Sequence, residues 1–110
     1  MVARDTHGLP KNRFRKRGGR CYELCAKLLL NAPDGTPWEL VHGKGMGMIR
    51  HAFLERDGLI YDAVDDKFFQ PDDYRRQTGI VDAARYTHAE AARHMAQSGH
   101  CGPWNGDEAS

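Results

Sequence analysis

The sequence predicts an α+β domain in which an N-terminal helix accompanies a small antiparallel sheet and a C-terminal helix follows. Three local signals predict it. Gly18-Gly19 breaks the chain just before Leu24 and Leu28, an apolar pair at helical spacing. Asp57-Gly58 separates two β-rich runs, the pattern of a tight hairpin. Thr87-His88-Ala89-Glu90 is a capping box at the head of a further helical run. At 110 residues the chain is long enough for one modest core and too short for two.

In chain order, residues 1–18 are polar, basic and interrupted by Pro10, which predicts an extended or mobile lead-in. A helix should run from Cys21 to about Asn31, with Pro33 and Pro37 preventing its continuation. Trp38 to His42 alternates as a strand does. Gly43, Gly45 and Gly47 then make a loop that lacks the Gly-Lys-Ser/Thr ending of a phosphate cradle. Met46 and Met48 in that loop read as filler or as a lid.

The hairpin spans Ile49–Glu55 and Leu59–Val64. A two-residue type I′ turn at Asp57-Gly58 would pair Arg56 with Leu59, Glu55 with Ile60, Phe53 with Asp62 and His51 with Val64. One face then carries His51, Phe53, Glu55, Ile60, Asp62 and Val64. The other carries Ala52, Leu54, Leu59, Tyr61 and Ala63, apolar enough to pack on a helix. His51 and Asp62 become diagonal neighbours, roughly 7 Å apart at Cβ on generic geometry. A one-residue slip would separate them. Asp65-Asp66-Lys67 reads as a turn, and Phe68 to Tyr74 as an aromatic anchor leading into a helical turn that ends near Gly79. Ile80 to Tyr86 is a further strand. The last helix should run from His88 to Ser98 and stop at Gly99.

Charge is unevenly spread. Residues 1–20 hold seven Lys/Arg against Asp5 alone, whereas the rest holds nine against fourteen acids. The basic arm reads first as a solvated or body-packed segment. Nucleic-acid contact through it is the sharper alternative, but only Phe14 is interleaved and no nucleic-acid motif follows. The longest apolar run is Leu28-Leu29-Leu30, so no membrane span is expected. The first residues lack the apolar core of a signal peptide. Three cysteines, an odd number, suit free thiols in a reducing cytoplasm, with signal-independent export left open.

Cys21 opens the first helix, where the positive end of the helix dipole favours the thiolate. A thiolate nucleophile needs a base, and the base an orienting group. Cys21, His51 and Asp62 supply those roles in that order, with main-chain N–H groups at the helix start as oxyanion donors. No cofactor is called for. His42, at a strand end beside the glycine loop, is a second candidate base. Cys25, one turn into the helix, reads as a buried apolar residue. Tyr22, Phe53, Phe68, Phe69 and Trp104 read as core.

Gly19-Arg20-Cys21-Tyr22 resembles the Gly-X-Cys-Trp/Tyr segment of papain-like enzymes. Arg50-His51-Ala52-Phe53-Leu54-Glu55, followed by Gly58-Leu59-Ile60-Tyr61-Asp62, resembles the His-Ala-Trp/Phe-Val-Glu…Asp hairpin of transglutaminase-like proteins. The plan is that of the papain-like and transglutaminase-like cysteine enzymes, whose small members include bacterial and phage-borne proteins. The resemblance covers about residues 18–70. It implies a helix packed on an antiparallel sheet, with Cys21 as nucleophile, His51 as base and Asp62 as orienter. Its activities run from peptide and isopeptide hydrolysis to deamidation and acyl transfer, so the implied partner is a peptide or protein substrate. With the polar lead-in and the polar end, the reading is one papain/transglutaminase-like domain over 19–104, between a basic, flexible arm over 1–18 and a frayed tail over 105–110. Many relatives place an oxyanion glutamine about six residues before the cysteine, where this chain has Arg15. Asn12 or the helix main chain would have to serve instead, or the hole would be incomplete.

Two readings from other classes stand beside this one. Cys21 and Cys25 could face a zinc ion completed by His94, His100 or Cys101, although the short Cys-x-x-Cys knuckle is absent. A catalytically inactive papain-like domain could bind a partner through the basic arm.

Overall fold

The computed structural model describes residues 5–45, 47 and 49–104. In chain order these form α1 (Cys21–Leu30), β1 (Glu39–Lys44), β2 (Arg50–Arg56), β3 (Leu59–Asp62), β4 (Lys67–Phe69), α2 (Pro71–Thr78), β5 (Val81–Tyr86) and α3 (His88–Ser98). The five strands make one antiparallel sheet in the order β4-β3-β2-β1-β5. The chain is thus an α+β domain with three helices and a five-stranded sheet. The Met46/Met48 loop reading and the 105–110 tail lie outside the described residues.

Local chemistry accounts for the element ends. Gly19 takes a positive φ of 74°, and Arg20 N–H closes a turn onto the Arg17 carbonyl, which delivers the chain into α1. Thr87 accepts from Glu90 N–H at 3.2 Å while Glu90 accepts from Thr87 N–H at 3.0 Å, the reciprocal cap expected for α3. Gly99 ends that helix in the left-handed conformation that lacks a Cβ penalty.

The central hairpin has the expected register where it pairs, with Arg56 opposite Leu59, Glu55 opposite Ile60 and Leu54 opposite Tyr61. Two details differ. Gly58 has a φ of 71° but Asp57 is not in the positive region, so the turn is not type I′, which needs both. Pairing also stops at Leu54–Tyr61, short of the expected Phe53–Asp62 and His51–Val64 pairs. The cause is Asp62, whose Oδ1 accepts the N–H groups of Val64 at 3.0 Å and Asp65 at 3.1 Å. That side-chain-closed turn pulls the chain away from β2 and into β4. β4 was expected as turn and anchor; at three residues it is too short for its alternation to register as a strand.

The sheet divides the interior in two. On one face α1 and α3 cover Leu40, Ala52, Leu54, Tyr61 and Ala63, joined by Trp38 and Trp104. On the other face Val41, Phe53, Ile60 and Ile80 gather around Tyr74 of α2. The apolar and mixed faces of the hairpin are therefore those the alternation predicts.

The lead-in is extended but not detached. Leu9 is buried, and the His7 carbonyl accepts from Trp38 Nε1 at 2.7 Å. Asn12 Nδ2 donates to Tyr61 Oη and to the Ala63 carbonyl, both at 2.9 Å, and Arg17 Nε donates to the Val64 carbonyl at 2.9 Å. From His7 to Arg17 the expected flexible arm is laid along the body, leaving Lys11, Arg13, Arg15 and Lys16 exposed. Among the described residues no helix is long and apolar enough to cross a membrane.

Candidate active site

The early end of β3 shapes the site. β2 runs on past the last paired residue of β3, and the start of α1 takes the vacated edge. There the Ala52 carbonyl accepts from Cys25 Sγ at 3.5 Å, and the Ala52 main-chain amide faces Cys21. Cys21 occupies the first position of α1, and the Arg20 side chain at the N-cap does not cap the helix main chain but pairs with the Glu23 carboxylate. A helix start presents main-chain N–H groups that have no acceptor within the helix.

Cys21, His51 and Asp62 come together in the lining of an open cleft of about 460 Å³. Ile49, Val64 and Ile80 line it too, with Gly19 and Gly45. Gly43 makes one wall possible. A Cβ on it would lie 2.7 Å from the Val81 carbonyl oxygen and 2.9 Å from Ile80 Cγ1. Gly43 is the cross-strand partner of His51, so its bare backbone seats Ile80 beside the imidazole.

The electrostatics of the three residues are coupled. Burial pushes the Cys21 thiol up, but the hydrogen bond with His51, the amides of Ala52 and Tyr22 and the imidazolium charge outweigh it and hold the thiol below its ordinary value. Burial likewise pulls His51 down, yet its hydrogen bonds with Asp62 and Cys21, and their charges, raise it to about 9. Asp62 is buried, which pushes its carboxyl up; His51, the Asp65 amide and Tyr74 bring it below the usual range. Opposite shifts on thiol and imidazole favour a thiolate–imidazolium pair at neutral pH.

The link between His51 and Asp62 contains a residue the sequence analysis did not single out. His51 Nε2 lies 3.4 Å from Asp62 Oδ2 but 2.7 Å from Tyr74 Oη, and Tyr74 Oη donates to Asp62 Oδ2 at 2.7 Å. One signal was present in the sequence. α2 reads Pro-Asp-Asp-Tyr-Arg-Arg-Gln-Thr, and an aromatic alone in a polar helix must be its inward face. Where that face lands is a tertiary matter.

Other candidates fall elsewhere. His42 projects to the opposite face of the sheet, among the rings of Tyr22, Tyr86 and Trp104. Asn12 cannot serve as an oxyanion donor, because both hydrogens of its amide are engaged by Tyr61 and Ala63. Arg15 is exposed. The proposed zinc set is not assembled: Cys25 is buried with its thiol on Ala52, His94 stacks on Trp104, and no group of three or more potential ligands gathers among the described residues. All three cysteines are free.

Fold and site together define an α+β domain with a cysteine–histidine pair, backed by a carboxylate, in a surface cleft. No protein-family model, curated protein or solved structure matches the chain.

Proposed function

We propose that the chain is a thiol-dependent hydrolase or acyltransferase acting on an amide of a peptide or protein. The observation that carries this reading is that Cys21 and His51 line one cleft with Asp62, the thiol and the imidazole shifted in opposite directions by each other. In this reading α1 is a nucleophile helix of the papain-like and transglutaminase-like kind.

The chemistry follows from the positions. The Cys21 thiolate adds to the amide carbonyl, and main-chain N–H groups at the start of α1 receive the developing oxyanion. The C–N bond breaks as the His51 imidazolium gives its proton to the departing amine, leaving a thioester on Cys21 and a neutral imidazole. Water or a second amine then attacks the thioester. His51 takes a proton from that nucleophile, and the thiolate leaves. Asp62 holds the imidazole and stabilises its charged form. The apolar walls at Ile49, Val64 and Ile80 suit an apolar stretch of the acyl donor.

The test is the rate of alkylation of each cysteine at pH 6, mapped by mass spectrometry in the wild type and in His51→Ala. An ordinary thiol is less than about 1% thiolate at that pH. Fast, selective modification of Cys21 that His51→Ala abolishes is the expected result. Uniformly slow modification of a metal-free sample would sink it in favour of a binding domain, and protection relieved by a chelator would favour a metal site.

A further inference from the structure

We infer that Tyr74 is a positioning residue that carries the link between His51 and Asp62, so that the carboxylate acts on the imidazole through the phenol rather than directly. This rests on the proposed roles of Cys21 and His51.

The distances separate the two routes. His51 Nε2 to Tyr74 Oη and Tyr74 Oη to Asp62 Oδ2 are both 2.7 Å, inside the hydrogen-bond range, while the direct contact is 3.4 Å. The proton directions follow by elimination. An ionised Asp62 can only accept, and its Oδ1 already accepts from Val64 and Asp65. Tyr74 has a single proton, so it donates to Oδ2. Its oxygen must then accept, and the donor it faces is the Nε2–H of His51. With Nε2 so engaged, Nδ1 is the ring nitrogen left for Cys21. The tyrosine thereby selects the proton arrangement that the thiolate–imidazolium pair requires.

The phenol is built to stay in place and stay protonated. Tyr74 is the buried residue of α2, only 2% exposed, and its ring packs against Phe53 and Phe69 at centroid distances of 5.2 and 5.0 Å. Burial, then Asp62, hold its hydroxyl far above the usual tyrosine range. Pro71 at the start of α2 and left-handed Gly79 at its end fix the helix that carries it. The groups that influence this phenol are Asp62 at the end of β3, Asp65 just after it, Cys25 of α1 and His51 of β2.

The test is the pH dependence of Cys21 alkylation by iodoacetamide in the wild type, Tyr74→Phe, Asp62→Asn and the double variant. Tyr74→Phe keeps the ring that packs α2 and removes only the relay. The half-rise of the profile should move up by about one pH unit, near a tenfold loss of rate at pH 6. The double variant should titrate like Tyr74→Phe alone, because both substitutions cut the same chain. A Tyr74→Phe profile that overlays the wild type, even with a lowered melting temperature, overturns the inference. Additive shifts in the double variant overturn it too, since they mean that Asp62 reaches His51 directly. An ordinary-thiol profile for Cys21 in the wild type would instead overturn the proposed function itself. Should Tyr74→Phe not fold, the wild type decides. A slowly exchanging His51 Nε2–H resonance with a nuclear Overhauser effect to the Tyr74 ring supports the relay, and its absence refutes it.

Discussion

Two histidines on neighbouring strands have opposite surroundings. His42 on β1 faces the side of the sheet covered by α1 and α3, is only 1% exposed, and has the rings of Tyr22, Tyr86 and Trp104 at centroid distances of 4.7, 5.1 and 5.2 Å. His51 on β2 faces the other side, is half-buried at the edge of a cleft, and meets a thiol, a phenol and a carboxylate. Gly43, next to His42 in the chain, is the cross-strand partner of His51. One residue of alternation therefore separates an imidazole packed among aromatic rings from one that meets a thiol, a phenol and a carboxylate at a cleft.

The comparison can be broken at several points. The largest effect is expected from His51→Ala. Cys21 then has the profile of an ordinary thiol, and its alkylation at pH 6 falls by about two orders of magnitude. Comparable loss in His42→Leu with His51 intact would reverse the assignment of the two histidines.

Next is the alkaline limit. His51 is raised to about 9, so its acid form persists below that pH and is lost above it. Turnover of an amide donor should fall as pH rises through about 9, because the leaving amine loses its proton donor. Alkylation should stay at its plateau there, because the thiolate needs no acid. A decline of both together would mean that the fold, not the imidazolium, is failing.

Asp62→Asn should be milder, costing about tenfold in turnover, since the amide keeps an oxygen acceptor for Tyr74 but removes the charge. The same substitution sharpens the stability comparison. The folded carboxyl of Asp62 is held below its ordinary value, so its contribution is present above about pH 4 and is lost as pH falls through the folded value. Acid denaturation of Asp62→Asn should accordingly be less steep than that of the wild type.

The smallest effect on chemistry is expected at the packed histidine. His42→Leu should lower stability by about 1–3 kcal/mol in denaturant titration and leave the pH profile of Cys21 alkylation unchanged. Asn12→Ala should behave alike. It removes two hydrogen bonds that tie the lead-in to Tyr61 and Ala63, for about 1–3 kcal/mol, without touching the cleft.

The sequence by itself determined the elements apart from β4, and much of the candidate site. A glycine pair before an apolar stripe started α1, a capping box started α3, and Asp57-Gly58 set the hairpin register that places His51 and Asp62 on one face. These are local matters: a breaker, two reciprocal hydrogen bonds, a two-residue turn and an alternation of period two. Cys21 beside His51 was legible only as a pattern, because no local rule brings a helix start to a strand edge. The tertiary structure decided that by ending β3 at the Asp62 turn and letting α1 take the freed edge. It also decided between a solvated and a body-packed arm over the described residues, which Asn12 and Arg17 tie to the body, since their partners lie about fifty residues away in the chain. Tyr74 is the sharpest case. Its burial could be read from a polar helix with one aromatic, but its place between His51 and Asp62 depends on how α2 docks, which only packing against Phe53 and Phe69 settles.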